Sequence, residues 1–305
     1  MKKAEKCWRS QNVCWKKGEN KMNNGIDNGI KVCHLSKSFR RKKVLDDVNF
    51  TLETGICGIL GPNGAGKTTL MRCITGLYPF DGEIKIAGKK LCKKTQMGIG
   101  YLPQKFGLYP ELTVYEMMKY FCKLKKIPEK QTRDMIDRSL KMVNLDGEEK
   151  KQVKKLSGGM VRRLGIAQAF LGEASIVLLD EPTAGLDPEE RMRFKNIITN
   201  MGRDKLVIVS THIVEDVEAC CDHIMVLEKG HNKFLGRNDD LISRAEGKIM
   251  ELREDELAEK DILFTEKTFI RDGKKMYRVI TKQKTEHAVP ATVEDGYLCV
   301  LKEDY

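Results

Sequence analysis

The run Gly61-Pro62-Asn63-Gly64-Ala65-Gly66-Lys67-Thr68 has the residue types and spacing of a phosphate-gripping loop, G-x-x-x-x-G-K-[ST]. Its glycines let the backbone curve tightly and aim successive N–H groups at phosphate oxygens. An apolar strand, Ile56–Leu60, leads in and a helix beginning near Gly66 leads out, so the phosphates meet a positive helix end. Lys67 supplies a mobile cation for the β- and γ-phosphates, and Thr68 a hydroxyl for Mg2+. A chance glycine-rich turn would not need the lysine, the hydroxyl and both flanking elements. Alone, the motif means a bound nucleotide and nothing more.

A second set of groups follows downstream. The apolar run Ile176-Val177-Leu178-Leu179 ends on Asp180 and Glu181, with Pro182 next. Strand C-termini are where open α/β sheets take their ligands. Adjacent carboxylates at a strand end diverge, which leaves Asp180 to hold Mg2+ and Glu181 to polarise an attacking water. Leu156-Ser157-Gly158-Gly159-Met160 precedes a helical stretch, Val161–Phe170. Ser157 as N-cap, with two glycines, exposes N–H groups and a hydroxyl at a positive helix end: a second anion site with no lysine. Taken by itself, it reads equally well as an ordinary capped helix. His212 follows strand Leu206–Ser210 within reach of a γ-phosphate, and Gln104 follows Tyr101-Leu102-Pro103; each is weak evidence alone.

Holding these groups takes a sheet. Buried strands Ile56–Leu60, Ile176–Asp180 and Leu206–Ser210 each end at a turn into a helical stretch, the alternation of a parallel sheet covered on both faces. Ile30–Leu35, Val48–Leu52 and Glu83–Ala87 read as antiparallel strands around the phosphate loop. Val114–Leu171 reads as helical, broken at Pro128 and Gly147. Beyond Ser243 the composition changes: Gly247–Leu252 and Thr268–Thr281 read as strands, the latter folded at Asp272-Gly273. Thr292 and Asp295 form a capping box for a final short helix. Three regions are therefore expected: a flexible extension over 1–28, an α/β core over 29–242 with a helical insertion over about 105–171, and a small α+β appendage over 243–305. The appendage shows no cluster of ionisable residues that would make a site.

At 305 residues and 41% apolar content, the chain is long enough for a sizeable core, and no apolar run approaches a bilayer span. The N-terminus lacks an apolar secretory segment, so the expectation is a soluble, cytoplasmic chain. A formal charge of +11 favours anionic partners, but no basic stretch is interleaved with aromatics, and no nucleic acid is expected. The ten cysteines include no C-x-x-C pair, which points to a reducing compartment rather than zinc.

Taken in order, these motifs resemble the nucleotide-binding subunit of an ATP-binding-cassette (ABC) transporter over about residues 30–236. The resemblance implies a P-loop NTPase fold that binds ATP and Mg2+. Gly61–Thr68, with Thr69, is similar to the Walker A loop, and Ile176–Glu181 to Walker B, with Glu181 as general base. Leu156–Met160 resembles the signature that contacts the ATP of a partner subunit. Asp187 lies in the D-loop match Ala184–Asp187, and His212 matches the switch histidine. Gln104 matches the Q-loop glutamine, which touches Mg2+ and the attacking water. Phe39 sits where the family stacks an aromatic on adenine. Met160 stands where glutamine is commonest, and Phe39 where tyrosine is; both leave the essential donors and ring face intact.

The same resemblance implies head-to-tail pairing, as a homodimer or with a related ATPase subunit, and an integral membrane permease on a separate chain at the inner face of the membrane. Lys105–Tyr120 is where that permease docks, although Phe106, Leu108, Tyr109 and Leu112 read equally as core. The run 185–191, Met160 and the appendage resemble the subfamily serving ABC-2-type exporters. Two rivals fit less well. A non-transport ABC ATPase acting on ribosomes or nucleic acid carries two cassettes or a long coiled coil, and a P-loop kinase has no use for the signature.

Overall fold

A computed structural model describes residues 29–172, 174–201, 204–259 and 261–302. The extension expected over 1–28, with Trp8 and Trp15, lies outside the described residues. In chain order, strands β1 (Ile30–Phe39), β2 (Lys42–Leu52) and β3 (Gly55–Leu60) lead to helix α1 (Lys67–Ile74). Strands β4 (Asp81–Ile86) and β5 (Lys89–Lys90), the short α2 (Lys93–Gln96) and β6 (Ile99–Leu102) come next. Helices α3 (Val114–Leu124), α4 (Glu129–Met142) and α5 (Gly158–Phe170) form the helical insertion. After it alternate β7 (Ile176–Asp180), α6 (Pro188–Met201), β8 (Leu206–Thr211), α7 (Val214–Glu218), β9 (His223–Glu228) and β10 (His231–Gly236). The chain closes with α8 (Asn238–Ile242), β11 (Ile249–Arg253), β12 (Ile262–Arg271), β13 (Lys274–Thr281) and α9 (Val293–Lys302).

The main sheet has the order β10-β9-β3-β8-β7-β6, parallel except for β10. Its central strands are apolar up to their C-terminal ends because both faces are covered. Side-chain parity then divides them between two cores. Ile56 and Leu60, Val177 and Leu179, and Val207 and Val209 face the helical insertion. Cys57 and Ile59, Ile176 and Leu178, and Leu206 and Ile208 face α1 and the antiparallel sheet β2-β1-β4-β5. By the same parity Asp180 and Ser210, paired across β7 and β8, continue onto the α1 face. Two polar residues at two neighbouring strand ends therefore point at the helix that follows the phosphate loop.

The helical insertion departs from expectation in one respect. Residues 143–157 are not helical apart from a single 3-10 turn at Val153–Lys155. Asn144 (φ 53°) and Gly147 (φ 88°) adopt left-handed backbone, which a helix cannot carry through. Pro128 caps the start of α4, and Thr113 and Glu116 form a capping box on α3.

In the C-terminal part, β11-β13-β12 is an antiparallel sheet, and its hairpin turns at Asp272 (φ 51°) and Gly273 (φ 72°), as a two-residue turn with positive φ requires. Thr292 Oγ1 accepts from the Asp295 N–H at 3.2 Å, and Asp295 Oδ2 from the Thr292 N–H at 2.7 Å, closing the capping box on α9. Helix α9 joins two cores: Val293, Tyr297 and Val300 pack with Phe234 and Leu241, while Cys299 packs on Ile249 and Ile280. The region does gather ionisable residues, though inside its fold rather than in a cleft. Buried Arg278 lies 2.6 Å from Asp295, 3.0 Å from Glu266 and 3.1 Å from Glu251. These residues come from α9 and three strands, so no sequence spacing betrays them; they form an ion network centred on Arg278 that exposed Arg271 and Lys267 join at its edge. Among the described residues no helix is long and apolar enough to cross a membrane.

Candidate nucleotide-hydrolysis site

The phosphate loop joins the end of β3 to α1. Gly64 (φ 82°) and Gly66 (φ 109°) hold the left-handed backbone that bends it, which any Cβ would strain. A Cβ built on Gly64 would meet nothing within 4 Å, so the loop tip opens outward as a cradle. At the base of the cradle Ala65 is buried and its carbonyl accepts from the Gly230 N–H, tying the loop to the β9–β10 turn. Lys67 is buried: its Nζ donates to Gly61 O at 2.7 Å and Pro62 O at 3.3 Å, and stands 3.4 Å from Glu181 Oε1. Pro62, Asn63 and Gly64 are exposed at the tip, and Thr69 is half-buried on α1.

Behind the loop, Asp180 is fully buried at the end of β7. Its Oδ1 accepts from Thr68 Oγ1 at 3.0 Å and Ser210 Oγ at 2.6 Å. Tyr101 O–H donates to its Oδ2 at 3.4 Å. Burial, with the Asp180 carboxylate beside it, pushes the Tyr101 hydroxyl up to about 12, so it stays a donor at any ordinary pH. Ser210 and Tyr101 were not anticipated; the signal was a polar residue on the α1-facing parity of strands neighbouring Asp180.

Glu181 diverges from Asp180 for a backbone reason. The strand ends at Asp180, and Glu181 takes φ 48°, left-handed for a residue with a Cβ. Its N–H donates to Ser210 O and Ser210 Oγ, both at 3.1 Å. The carboxylate lies 3.0 Å from His212 Nδ1 on one side and 3.4 Å from Lys67 on the other. The loop lysine, the carboxylate and the histidine thus form one line across the C-terminal edge of the sheet.

The remaining expected residues sit apart from this line. Ser157 caps α5, its Oγ accepting from the Met160 N–H at 3.2 Å, with Gly158 exposed and Gly159 half-buried in the first turn. Among the described residues no hydrogen bond or ion pair joins Ser157–Met160 to the phosphate loop. Exposed Asp187 caps α6 by accepting from the Glu190 N–H at 2.8 Å. Gln104 is exposed and joins its neighbours through its backbone carbonyl, which accepts from Arg162 at 3.1 Å. Phe39 ends β1, 40% exposed, edge-on to Tyr78 at 5.2 Å, with Lys37 Nζ 4.9 Å from its ring centre. Arg72 Nη1 in turn donates to Tyr78 O–H at 2.6 Å, so the aromatic pair is fixed from α1.

Comparison with known proteins gives a consistent picture. The family model for ABC transporters matches residues 45–184, a span holding the phosphate loop, Ser157 and both carboxylates. Nod factor export ATP-binding protein I from Rhizobium meliloti is 37% identical over 224 residues, covering 72% of this chain and 67% of that protein. A linearmycin resistance ATP-binding protein from Bacillus subtilis is 32% identical over 220 residues, covering 70% of this chain and 71% of that one. Among solved structures, cbiO1 from Clostridium perfringens, part of the ABC transporter complex cbiONQ, superposes with a TM-score of 0.65. It is 26% identical, and the match covers 70% of this chain and 90% of that one.

Proposed function

The chain belongs to the ABC transporter family as an ATP-binding subunit, and from that premise we propose how its site hydrolyses ATP and what it works with. The N–H groups of the loop and Lys67 receive the phosphates of ATP. Thr68 and Asp180 hold Mg2+: a hydroxyl and a carboxylate 3.0 Å apart are the hard oxygen donors that ion takes. When bound, the ion neutralises charge on the β- and γ-phosphate oxygens. Glu181 accepts the proton of the attacking water, and His212, 3.0 Å away, fixes the carboxylate's orientation. Gln104 reaches in from the exposed segment after β6, and Phe39 with Tyr78 offers a ring face to adenine. The observation that carries this reading is the shared sheet edge, where Asp180 turns to Thr68 while Glu181 turns to Lys67 and His212.

Ser157–Met160 is the second half of a site completed by another chain, a second copy or a related subunit, paired head-to-tail. ATP between the two halves favours the closed pair, and hydrolysis removes the contacts that hold it shut. The closing motion acts on a separate membrane permease at the inner face of the membrane. Its dock is the segment 105–120, where Phe106, Leu108 and Leu112 pack into the core while Tyr109 (55% exposed) and Tyr120 (37% exposed) meet edge-on at the surface. The name of the Rhizobium relative supports export as the direction.

The test is capture of the tagged full chain from detergent-solubilised membranes of its own cells. An integral membrane protein is expected in stoichiometric amount. Capture of ribosomes or nucleic acid instead, with no membrane protein, overturns the transport reading.

A further inference from the structure

After Asp180 the backbone turns sharply, and the turn aims three successive carbonyl oxygens, of Asp180, Glu181 and Pro182, toward one side chain on another helix. That side chain is Arg162, in the second turn of α5 beyond Ser157. Its Nε donates to Pro182 O at 2.7 Å and its Nη2 to Asp180 O at 3.2 Å and to Glu181 O. Its Nη1 donates to Gln104 O at 3.1 Å. One guanidinium therefore bonds four backbone carbonyls from two separate segments. Converging carbonyl dipoles repel one another unless a cation lies between them, and a planar fork of five N–H donors suits that place better than a lysine. The side chain is partly buried, and burial lowers its pKa without making it neutral at any working pH.

We propose that Arg162 is a positioning residue for hydrolysis, holding the left-handed turn that aims Glu181 and linking that turn to the Gln104 segment and to the Ser157 helix. The inference rests on Glu181 being the group that accepts the water's proton. Glu181 has φ 48°, a conformation its own Cβ disfavours, so something outside the turn must hold it. Its N–H is fixed by Ser210, and its carbonyl accepts from Arg162 and, within the turn, from the Ala184 N–H at 3.3 Å. Without the guanidinium the Glu181 carbonyl keeps only the Ala184 N–H, a longer bond internal to the turn that ties it to no other element, and the carboxylate leaves its line with Lys67 and His212. The phosphate loop is not touched by Arg162, so ATP binding by a single chain does not depend on it. A shift of α5, which carries Ser157 at its start, reaches the Glu181 turn and the Gln104 segment through this side chain, beside the packing of α5 on β6 and the Gln168 bond to Tyr101 O at 2.8 Å.

The experiment compares ATP affinity, turnover and the unfolding midpoint in the full chain for Arg162→Ala, Arg162→Lys and Arg162→Gln, and repeats Arg162→Ala in a Glu181→Gln background. The expected result is a turnover loss of about ten- to a hundredfold in Arg162→Ala, the order that follows from a small misplacement of a reacting group. ATP affinity should be unchanged, and Arg162→Lys should recover part of the loss while Arg162→Gln recovers less. In Glu181→Gln, where the carboxylate is already gone, adding Arg162→Ala should lower single-turnover hydrolysis no further. Should Arg162→Ala fail to fold, the lysine and glutamine variants, which keep the aliphatic stem, carry the same comparison in both backgrounds. Wild-type turnover in Arg162→Ala, or equal losses in both backgrounds, overturns the inference while leaving Glu181 in its role. Wild-type turnover in Glu181→Gln removes the reading on which it rests.

Discussion

At the scale of single residues, Asp180 and Glu181 are neighbours in sequence that do unrelated work because the strand stops between them. Asp180 keeps the parity of β7 and meets Thr68 and Ser210 beneath the phosphate loop. Glu181, in left-handed backbone, turns to Lys67 and His212. Glu181→Gln keeps the shape and removes the proton acceptor. It should bind ATP normally and lose about a hundredfold or more in turnover, the order associated with a positioned general base, and it should accumulate as an ATP-bound pair of chains on gel filtration. Turnover at the wild-type rate would refute the role. The carboxylates, Lys67 and Thr68 were legible because their chemistry fixes residue types at fixed spacing. Arg162, Ser210 and Tyr101 were not, since a side chain that serves backbone carbonyls or a buried carboxylate leaves no spacing rule behind.

At the scale of elements, the strands were legible where burial on both faces made them uninterrupted apolar runs, as in Ile176–Leu179. Caps were legible too: Ser157 on α5 and the Thr292–Asp295 box on α9 both close as their residue types require. The long stretch before α5 read as more helical than it is, because left-handed Asn144 carries a weaker signal than proline or glycine. The C-terminal ion network was invisible, assembled from Glu251, Glu266, Arg278 and Asp295 on four elements. It has a consequence for stability. Burial, with the Asp295 carboxyl beside it, pushes Glu266 from 4.5 up to about 7. The folded chain thus keeps a proton there that the unfolded chain has released. This contribution is fully present below pH 4.5 and is lost as pH rises through about 7. Glu266→Gln, which cannot ionise, should flatten the fall of the unfolding midpoint across that window and raise the midpoint above wild type at higher pH. An unchanged slope in thermal unfolding would show that Glu266 does not hold the proton.

At the scale of the molecule, the chain carries one complete phosphate cradle and one capped helix end, Ser157–Met160, with no bond between them inside the described residues. Sequence spacing separates the two as well, but it is the family resemblance, not the spacing, that suggests a nucleotide site shared between chains. The pairing geometry could not be read, because it lies in a surface rather than in a motif. Two crippled variants test it most directly. Lys67→Ala removes the cradle's cation and Ser157→Ala removes the capped helix's hydroxyl, and each alone should hydrolyse ATP poorly. Mixed, they can form pairs in which the cradle of one chain and the helix end of the other are both intact. Hydrolysis in the mixture should rise well above the sum of the two variants measured separately; a mixture no more active than that sum would contradict a nucleotide site shared between two copies of this chain.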